Sequence, residues 1–461
     1  ESLTPVYPTT EGLQQRTWQA LTAQALALLA EGALLSELLP AGLDPLLQQP
    51  LAEALQLLHR PPPEIPLQLL LEGTHPAQQR LAFEELLAHQ VGLLQLRQQL
   101  QHHQAPAFDS SSPLCRELLK RLPFSLTPAQ QRVLAEIRGD LSRARPMQRL
   151  VQGDVGSGKT IVAAQAALLA IDSGYQCVIM APTELLAEQH LNNLRQWLEP
   201  LQVPLLWLAG RHKGRERSAR LQQIASGEAR LVVGTHALFQ NDVEFASLGL
   251  VIIDEQHRFG VHQRLALRQK GESDGMLPHQ LIMTATPIPR TLAMTAYADL
   301  DLSVIDALPP GRVPVTTVAL ADSRRDEVVM RVRQACRQGR QAYWVCTLVE
   351  ESEALQAQAA EETARQLQEQ LAELRIGLVH GRMSAVQKEA AMYAFKEGET
   401  DLLVATTVIE VGVDVANASL MIIENAERLG LAQLHQLRGR VGRGSDQSHC
   451  VLLFHAPLGQ Q

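Results

Sequence analysis

The sequence predicts an α/β protein with two parallel sheets in tandem, preceded by an α-helical segment. A glycine-rich loop, Gly153-Asp154-Val155-Gly156-Ser157-Gly158-Lys159-Thr160 (the P-loop), stands between an apolar strand and an Ala-rich helix. Short runs that are apolar on both faces then alternate with helical segments, which is typical of parallel strands covered by helices. This alternation repeats after a Pro-rich and Gly-rich stretch at residues 308–314, although no second glycine loop accompanies it.

Length and composition set broad limits. A chain of 461 residues suggests about three domains, and a net charge of -8 gives no overall attraction to nucleic acid, so any such surface must be local. The five cysteines include no C-x-x-C pair, which indicates buried thiols in a reducing compartment. No stretch has the length and apolarity of a membrane span, and neither end carries a targeting signal. We therefore expect a cytoplasmic protein and, because the chain begins without Met, a fragment.

The first 122 residues are rich in Leu, Gln and Ala and predict helices. Apolar side chains from Trp18 to Leu29 have the spacing of one helical face, and a second long helix is predicted from Pro76 to about His102. Prolines between these stretches divide the region into several helices. Nothing in this segment carries recognisable chemistry.

The first sheet domain is predicted at residues 123–308, and it opens with a candidate adenine site. Phe124 stands six residues before Gln130, and an aromatic ring with a side-chain amide could stack on adenine and read its edge. The alternative is an ordinary helix start with Thr127 as N-cap and Pro128 in the first turn. The residues alone leave both interpretations open.

The P-loop suits a polyphosphate, because its backbone N–H groups and the following helix N-terminus attract anions. Lys159 would reach the β- and γ-phosphates, and the Thr160 hydroxyl would hold Mg²⁺. After a later apolar run, Asp254 can hold the metal and Glu255 can activate the attacking water. An acidic pair after a strand can also be a plain helix cap, but a P-loop upstream favours the catalytic interpretation.

Small and hydroxyl residues follow several other predicted strands. Their hydroxyls and backbone N–H groups suit sequence-independent contacts with the phosphates of a nucleic-acid strand. Any one of these motifs could be a routine loop, and it is their order that predicts such contacts. The candidates are Pro182, Thr183, Gly234, Thr235 and His236 in the first domain, and Gly381, Arg382, Thr406 and Thr407 in the second.

The second sheet domain is predicted at residues 309–461, and without a P-loop of its own it must act across a cleft. Residues 436–443 predict arginines three positions apart on one helical face. If Gln436, Arg440 and Arg443 reach a γ-phosphate from this domain, they would stabilise the charge of the transition state. The alternative is a surface basic patch. Asp414, which follows another strand, is a further candidate nucleotide contact.

The ordered motifs resemble the superfamily-two helicase motor, in which two RecA-like lobes hold ATP between them. Several stretches are similar, more specifically, to the RecG family of bacterial branched-DNA helicases, and the likeness covers nearly the whole chain. They are Arg80-Leu81-Ala82-Phe83-Glu84-Glu85-Leu86, Asp254-Glu255-Gln256-His257-Arg258-Phe259-Gly260-Val261, Thr286-Pro287-Ile288-Pro289-Arg290-Thr291-Leu292 and Glu424-Asn425-Ala426-Glu427-Arg428-Leu429-Gly430-Leu431.

The resemblance implies an ATP-driven motor that remodels stalled forks and Holliday junctions in recombination and repair. It implies ATP and Mg²⁺ as cofactors, branched double-stranded DNA as a partner, single-stranded DNA-binding protein as a further candidate partner, and a nucleoid-associated location. The roles already given to the site residues agree with it. The family's wedge domain and C-terminal hairpin would lie outside this sequence, and Ala416 stands where the family usually has proline.

Three alternatives stay open. A transcription-repair coupling factor shares the stretch at 258–261 but usually carries Tyr at the position of Ser157 and Glu-Gln at 256–257. A nucleotide-sensing nucleic-acid-binding module would bind ATP without turnover. An RNA helicase would prefer duplex RNA to forked DNA.

Overall fold

The protein is described by a computed structural model covering residues 3, 5–8, 14–30, 35–39, 49–210, 212–255, 275–286, 300–307, 313–347, 353–406, 415, 417–442 and 447–456. Contacts divide the chain into two compact units, Glu1–Gln98 and Gln99–Gln461. The second unit contains two parallel sheets with helices, which confirms the predicted fold class. Of the Pro-rich and Gly-rich stretch at residues 308–314, which has the composition of a linker, residues 308–312 lie outside the described residues.

The first unit is helical, as its composition predicts. The long helix that begins at Pro76 ends at Gln101, within one residue of its predicted end. None of the helices in the described ranges has both the length and the apolar character needed to cross a membrane. The helices of this region are Gln15–Ala30, Leu51–His59, Leu67–Leu71 and Pro76–Gln101.

The first sheet has seven parallel strands. They are β1 (Gln148–Gly153), β2 (Gln176–Met180), β3 (Leu205–Leu208), β4 (Leu231–Gly234), β5 (Leu248–Asp254), β6 (His279–Thr284) and β7 (Asp301–Ile305). Their order across the sheet is β3-β4-β2-β5-β6-β1-β7. The central strands β2, β5 and β6 are buried along their whole length because helices cover both faces, which explains their continuous apolar runs. The helices around it are Pro113–Arg121, Pro128–Leu141, Lys159–Asp172, Glu184–Leu198 and Gly214–Ala225. We call this the first lobe.

The second lobe is built around six parallel strands. They are β8 (Thr316–Ala321), β9 (Gln341–Val345), β10 (Ile376–Val379), β11 (Leu402–Ala405), β12 (Ala418–Ile423) and β13 (His449–Phe454). Their order across the sheet is β10-β11-β9-β12-β13-β8. Its helices are Arg325–Arg337, Glu353–Gln370, Ala385–Lys396 and Leu431–Arg438.

Three strands, β3, β7 and β8, were missing from the sequence prediction, and all three lie at sheet edges. β7 and β8 include polar and exposed positions, so they lack the continuous apolar run by which the central strands are recognised, whereas β3 is apolar throughout but only four residues long. β8, for example, is exposed at its first four positions.

The segment before the predicted lobe boundary at residue 123 packs on the first lobe. Gln104 forms a parallel bridge with Met276, and Phe108, Cys115 and Leu118 are buried in the core beneath the sheet. The boundary between the two compact units therefore lies near Gln98, before residue 123, where the sequence predicts that the first sheet domain begins. All five cysteines are buried and unpaired, so the prediction of buried thiols is confirmed.

His279, at the start of β6, fixes this segment to the sheet. The ring is fully buried, its Nδ1 accepts the Met147 N–H at 2.9 Å, and its Nε2 lies 2.7 Å from the Pro106 carbonyl oxygen. Since that carbonyl can only accept, Nε2 carries the proton and the ring is neutral. Burial lowers the pKa of His279 from 6.5 to about 4.

We expect this histidine to make folding stability depend on pH. Between pH 6.5 and about 4 the unfolded chain binds a proton at His279 that the folded chain does not. The contribution of His279 to the free energy of unfolding should thus be fully present above pH 6.5. It should be lost as the pH falls to about 4, and the total loss should be about 3 kcal/mol. Urea unfolding of the wild type and His279→Gln at pH 7 and pH 5 should show a smaller acid loss in the variant. Equal losses in both proteins would contradict this origin.

Candidate active site

The P-loop joins the end of β1 to the helix Lys159–Asp172. Gly156 and Gly158 have φ angles of 76° and 84°, a left-handed backbone that favours glycine. Lys159 Nζ donates to the carbonyl oxygens of Gly153 at 2.7 Å and Asp154 at 3.0 Å, so the ammonium group folds back over the loop. This arrangement places a cation and a helix N-terminus together, as a polyphosphate site requires.

The acidic pair stands at the carboxyl end of β5. Glu255 has a left-handed backbone with φ 52°, which is uncommon for a residue other than glycine. Its N–H donates to the Met283 carbonyl oxygen at 3.0 Å and lies 3.0 Å from Asp254 Oδ1, and these contacts stabilise the unusual conformation. Strained backbone of this kind concentrates at functional sites.

The carboxyl groups of Asp254 and Glu255 have pKa values shifted in opposite directions, which gives them different roles. Burial raises the pKa of Glu255, and the neighbouring Asp254 charge raises it further, against the opposing charges of Lys159 and Arg440. Burial also opposes ionisation of Asp254, but His190, whose Nε2 lies 2.7 Å from Oδ2, holds its pKa below the ordinary value. Asp254 is thus suited to bind a cation, and Glu255 is the better proton acceptor.

These groups line one cavity of about 670 Å³, a size within the range of small-molecule sites. Most of the residues proposed from the sequence for ATP chemistry meet here. They are Phe124, Gln130, Val155, Gly156, Gly158, Lys159, Thr160, Asp254, Glu255 and Arg440. Among the described residues, the second lobe contributes Arg440 to a cavity otherwise lined by the first.

At the candidate adenine site, the structure confirms the capped helix start. Gln130 N–H donates to Thr127 Oγ1, and Gln130 Oε1 accepts the Thr127 N–H at 2.9 Å. Gln130 Nε2 also donates to the Ser157 carbonyl oxygen at 2.8 Å. An amide has two acceptor lone pairs and two N–H groups, so Gln130 keeps capacity for another partner. Its role with Phe124 in binding adenine stays a prediction.

Sequence reasoning missed one wall of the cavity, which the helix Glu184–Leu198 provides. The wall side chains recur at intervals of three or four residues and so lie on one helical face, a signal that was present in the sequence. They are Leu186, Gln189, His190, Asn193 and Trp197.

The prediction that the second-lobe arginines share one helical face is wrong. The helix ends at Arg438, Gly439 follows as its C-cap, and Gly442 has a left-handed backbone with φ 79°, so the helix does not continue. Arg440 nevertheless is buried at the cavity, and Gln436 Nε2 donates to Thr286 Oγ1 of the first lobe at 3.0 Å.

The candidate nucleic-acid residues differ in exposure. His236 and Arg382 are exposed, and Pro182, Thr183 and Gly381 are partly exposed. Thr183 also caps its helix, accepting the Leu186 N–H. The remaining described candidates are buried: Gly234, Thr235 and Thr406.

Several predicted positions lie outside the described residues. These are Gln256 and His257, the stretches at 258–261 and 287–292, and Thr407, Asp414, Ala416 and Arg443.

Comparison with known proteins identifies both lobes. Residues 127–295 match the DEAD/DEAH box helicase family, and residues 327–445 match the helicase conserved C-terminal domain. A structure of RecG bound to a three-way DNA junction superposes with a TM-score of 0.77 at 38% identity, covering 98% of this chain and 59% of that one. The S. cerevisiae Dbp5 structure bound to RNA and ADP BeF3, with a TM-score of 0.57 at 14% identity over 76% of this chain and 88% of its own, shares the fold.

Curated relatives match along the whole length. The ATP-dependent DNA helicase RecG of Escherichia coli (strain K12) is 63% identical over 461 residues, and that of Haemophilus influenzae is 61% identical over 461 residues. The match covers 100% of this chain and 66% of each of those relatives. With this identity along the chain and both helicase domains in order, the chain belongs to the RecG family.

Proposed function

We propose that this chain forms the motor of an ATP-dependent DNA helicase that remodels branched DNA, including stalled replication forks and Holliday junctions, in recombination and repair. The observation that carries the proposal is the shared cavity, in which Lys159 and Glu255 of the first lobe meet Arg440 of the second. The branched-DNA substrate rests on the family to which the chain belongs.

ATP would bind with its phosphates at the P-loop. Lys159 is held at the loop by two carbonyl oxygens and can donate instead to phosphate oxygens. Phe124 and Gln130 line the same cavity and would hold the adenine. The backbone N–H groups of residues 153–158 would surround the phosphates.

The described residues also fit a magnesium ion. Asp254 is a buried carboxylate held ionised by His190, and Thr160 lies at the start of the helix that follows the P-loop. Both are oxygen donors of the kind that Mg²⁺ prefers beside phosphates. When bound, the ion would supply positive charge to the phosphate oxygens.

Glu255 would accept a proton from the attacking water. Burial raises its pKa, which makes it a stronger base than an ordinary carboxylate while Lys159 and Arg440 limit the rise. Arg440 would stabilise negative charge that develops on the phosphates, and Gln436 and Arg443 would assist from the same motif.

Because Arg440 comes from the second lobe, turnover would depend on the two lobes being close together. Binding of ATP would favour the closed arrangement, and hydrolysis would release it. Phosphate contacts on both lobes, including those of exposed His236 and Arg382, would then alternate in strength as the lobes move. We propose that this alternation moves the protein along DNA.

The proposed partners are branched double-stranded DNA and single-stranded DNA-binding protein. The proposed location is the bacterial cytoplasm, in association with the nucleoid. The relatives that support this location are bacterial proteins.

Lys159→Ala should abolish DNA-stimulated ATP turnover, because the γ-phosphate loses its positive partner. We expect a loss of about 100-fold or more, measured by phosphate release. Lys120→Ala removes an exposed lysine of the same lobe and should retain turnover. Hydrolysis by Lys159→Ala at the control rate would contradict the assigned role.

Arg440→Ala should spare ATP binding and remove turnover. Removal of an arginine that acts on the transition state should lower kcat by about 1,000-fold, while the Kd for ATP stays within about threefold. The matched control is Arg337→Ala, which removes an exposed arginine of the second lobe. Equal loss of binding and turnover would instead indicate a structural role.

ATP turnover by this chain should be stimulated by a synthetic three-way DNA junction about tenfold, a typical coupling between two binding sites. Linear duplex DNA and duplex RNA should stimulate less. A longer form with the additional length of the relatives should be measured beside it. Stronger stimulation by duplex RNA would favour an RNA helicase, and intact ATP affinity without turnover in both forms would favour a nucleotide sensor.

A further inference from the structure

The helix Leu431–Arg438 of the second lobe carries a histidine that contacts the P-loop directly. His435 Nε2 lies 3.0 Å from Asp154 Oδ1. Asp154 is the second residue of the P-loop, and its Oδ1 also accepts the Val155 N–H at 2.7 Å. One carboxylate therefore stabilises the loop conformation and contacts the other lobe.

Arg438 determines which ring nitrogen of His435 carries the proton. Its guanidinium nitrogen lies 3.1 Å from His435 Nδ1, and a guanidinium group can only donate. Nδ1 must therefore be the acceptor, so Nε2 carries the proton and donates to Asp154. The same guanidinium group lies 3.9 Å from Asp154 Oδ2, which places a positive charge beside the carboxylate. We call the three residues Arg438, His435 and Asp154 the clasp.

Asp154 is held in the ionised form that the clasp needs. Burial opposes its ionisation, yet the hydrogen bond and the electrostatic attraction of His435, followed by the Val155 N–H and the charge of Arg438, hold its pKa below the ordinary value. A carboxylate accepts a hydrogen bond more strongly than a neutral acid does.

The clasp lies beside a very close approach of the two lobes. A Cβ atom at Gly439 would come within 2.5 Å of Val155 Cγ2. The backbone of Gly439 has φ −67° and ψ −9°, which any residue can adopt. Glycine is therefore required here by the close approach to Val155 and not by the backbone conformation. Arg440, which lines the nucleotide cavity, is the next residue.

We propose that His435 is a positioning residue, and that the clasp fixes the second lobe against the P-loop so that Arg440 reaches the cavity. This proposal rests on the proposed function, because it assigns the clasp to ATP turnover. His435 lies outside the residues assigned to phosphate contact, and it acts through Arg440. The clasp also joins the P-loop to the second lobe, so a movement of the P-loop would change the position of Arg440.

The clasp should affect turnover more than binding. The side chains of His435 and Asp154 are 19% and 38% exposed, so solvent screening limits their contact to the strength of a partly exposed pair. His435→Ala should therefore lower kcat about fivefold and leave the Kd of a non-hydrolysable ATP analogue nearly unchanged. His455→Ala is a matched control, because His455 pairs with Asp322 at an exposed site of the second lobe. It should leave kcat unchanged.

Two further variants separate the clasp from simple packing. His435→Gln can accept from Arg438 through its amide oxygen and donate to Asp154 through its amide nitrogen, so it should restore most of the turnover. Asp154→Asn keeps an acceptor for the Val155 N–H but loses the charge, and should resemble His435→Ala. The double variant His435→Ala/Asp154→Asn should be no worse than either single change.

Lobe separation provides a readout that does not need turnover. All five native cysteines are buried, so dyes can be attached to cysteines introduced at exposed Gln222 of the first lobe and Gln338 of the second. Energy transfer with the ATP analogue bound should fall in His435→Ala and in Gly439→Ala, and should recover in His435→Gln.

Unchanged energy transfer in His435→Ala would overturn the proposal, as would equal impairment of His435→Gln and His435→Ala or multiplicative losses in the double variant. If the wild type hydrolyses no ATP, the proposed function fails, and the proposed role of His435 in turnover fails with it. Energy transfer would still show whether the clasp holds the lobes together, so the two failures can be distinguished.

Discussion

The proposed chemistry depends on how closely the second lobe approaches the P-loop. Val155 and Gly439 meet where any larger side chain at position 439 would collide, and the two residues belong to different lobes. This approach places the neighbouring Arg440 at the cavity that Lys159 and Glu255 line. Neither lobe carries the complete set of groups, so the relative position of the lobes is itself part of the site.

The parallel sheet explains why the first-lobe groups converge. Strands β1, β5 and β6 are neighbours and run in one direction, so their carboxyl ends meet at one edge. The P-loop follows β1 and the acidic pair follows β5. Residues separated by about a hundred positions in the chain thus lie together because strand order differs from chain order.

Electrostatics then gives the grouped residues different roles. Asp254 is buried and the adjacent Glu255 is partly buried, but the pKa of Asp254 is lowered while that of Glu255 is raised. The difference follows from the hydrogen bond and charge of His190, which lower the pKa of Asp254, and from burial and the charge of Asp254, which raise the pKa of Glu255. A positively charged second-lobe residue, Arg440, offsets part of the cost of burying two acids. The same low-dielectric surroundings would strengthen the interaction of each group with phosphates.

The sequence by itself determined the central strands, the P-loop and the acidic pair. Each of these is a local pattern: continuous apolar runs follow from burial on both sheet faces, and glycines follow from backbone angles that other residues avoid. The capped helix at Thr127 was likewise local, because N-cap and partner lie three residues apart. The edge strands β7 and β8 were missed because their polar and exposed positions interrupt the apolar signal.

Only the tertiary structure decided which residues meet across the lobes. The helix ends at Arg438, which refutes a shared helical face for the arginines, yet Arg440 reaches the cavity through contact with the P-loop. The pairing of His190 with Asp254 and of His435 with Asp154 has no local signature, because the partners are remote in the chain. A hydrogen bond between distant residues depends on the packing of whole elements, and the spacing of residues along one strand or helix does not encode it.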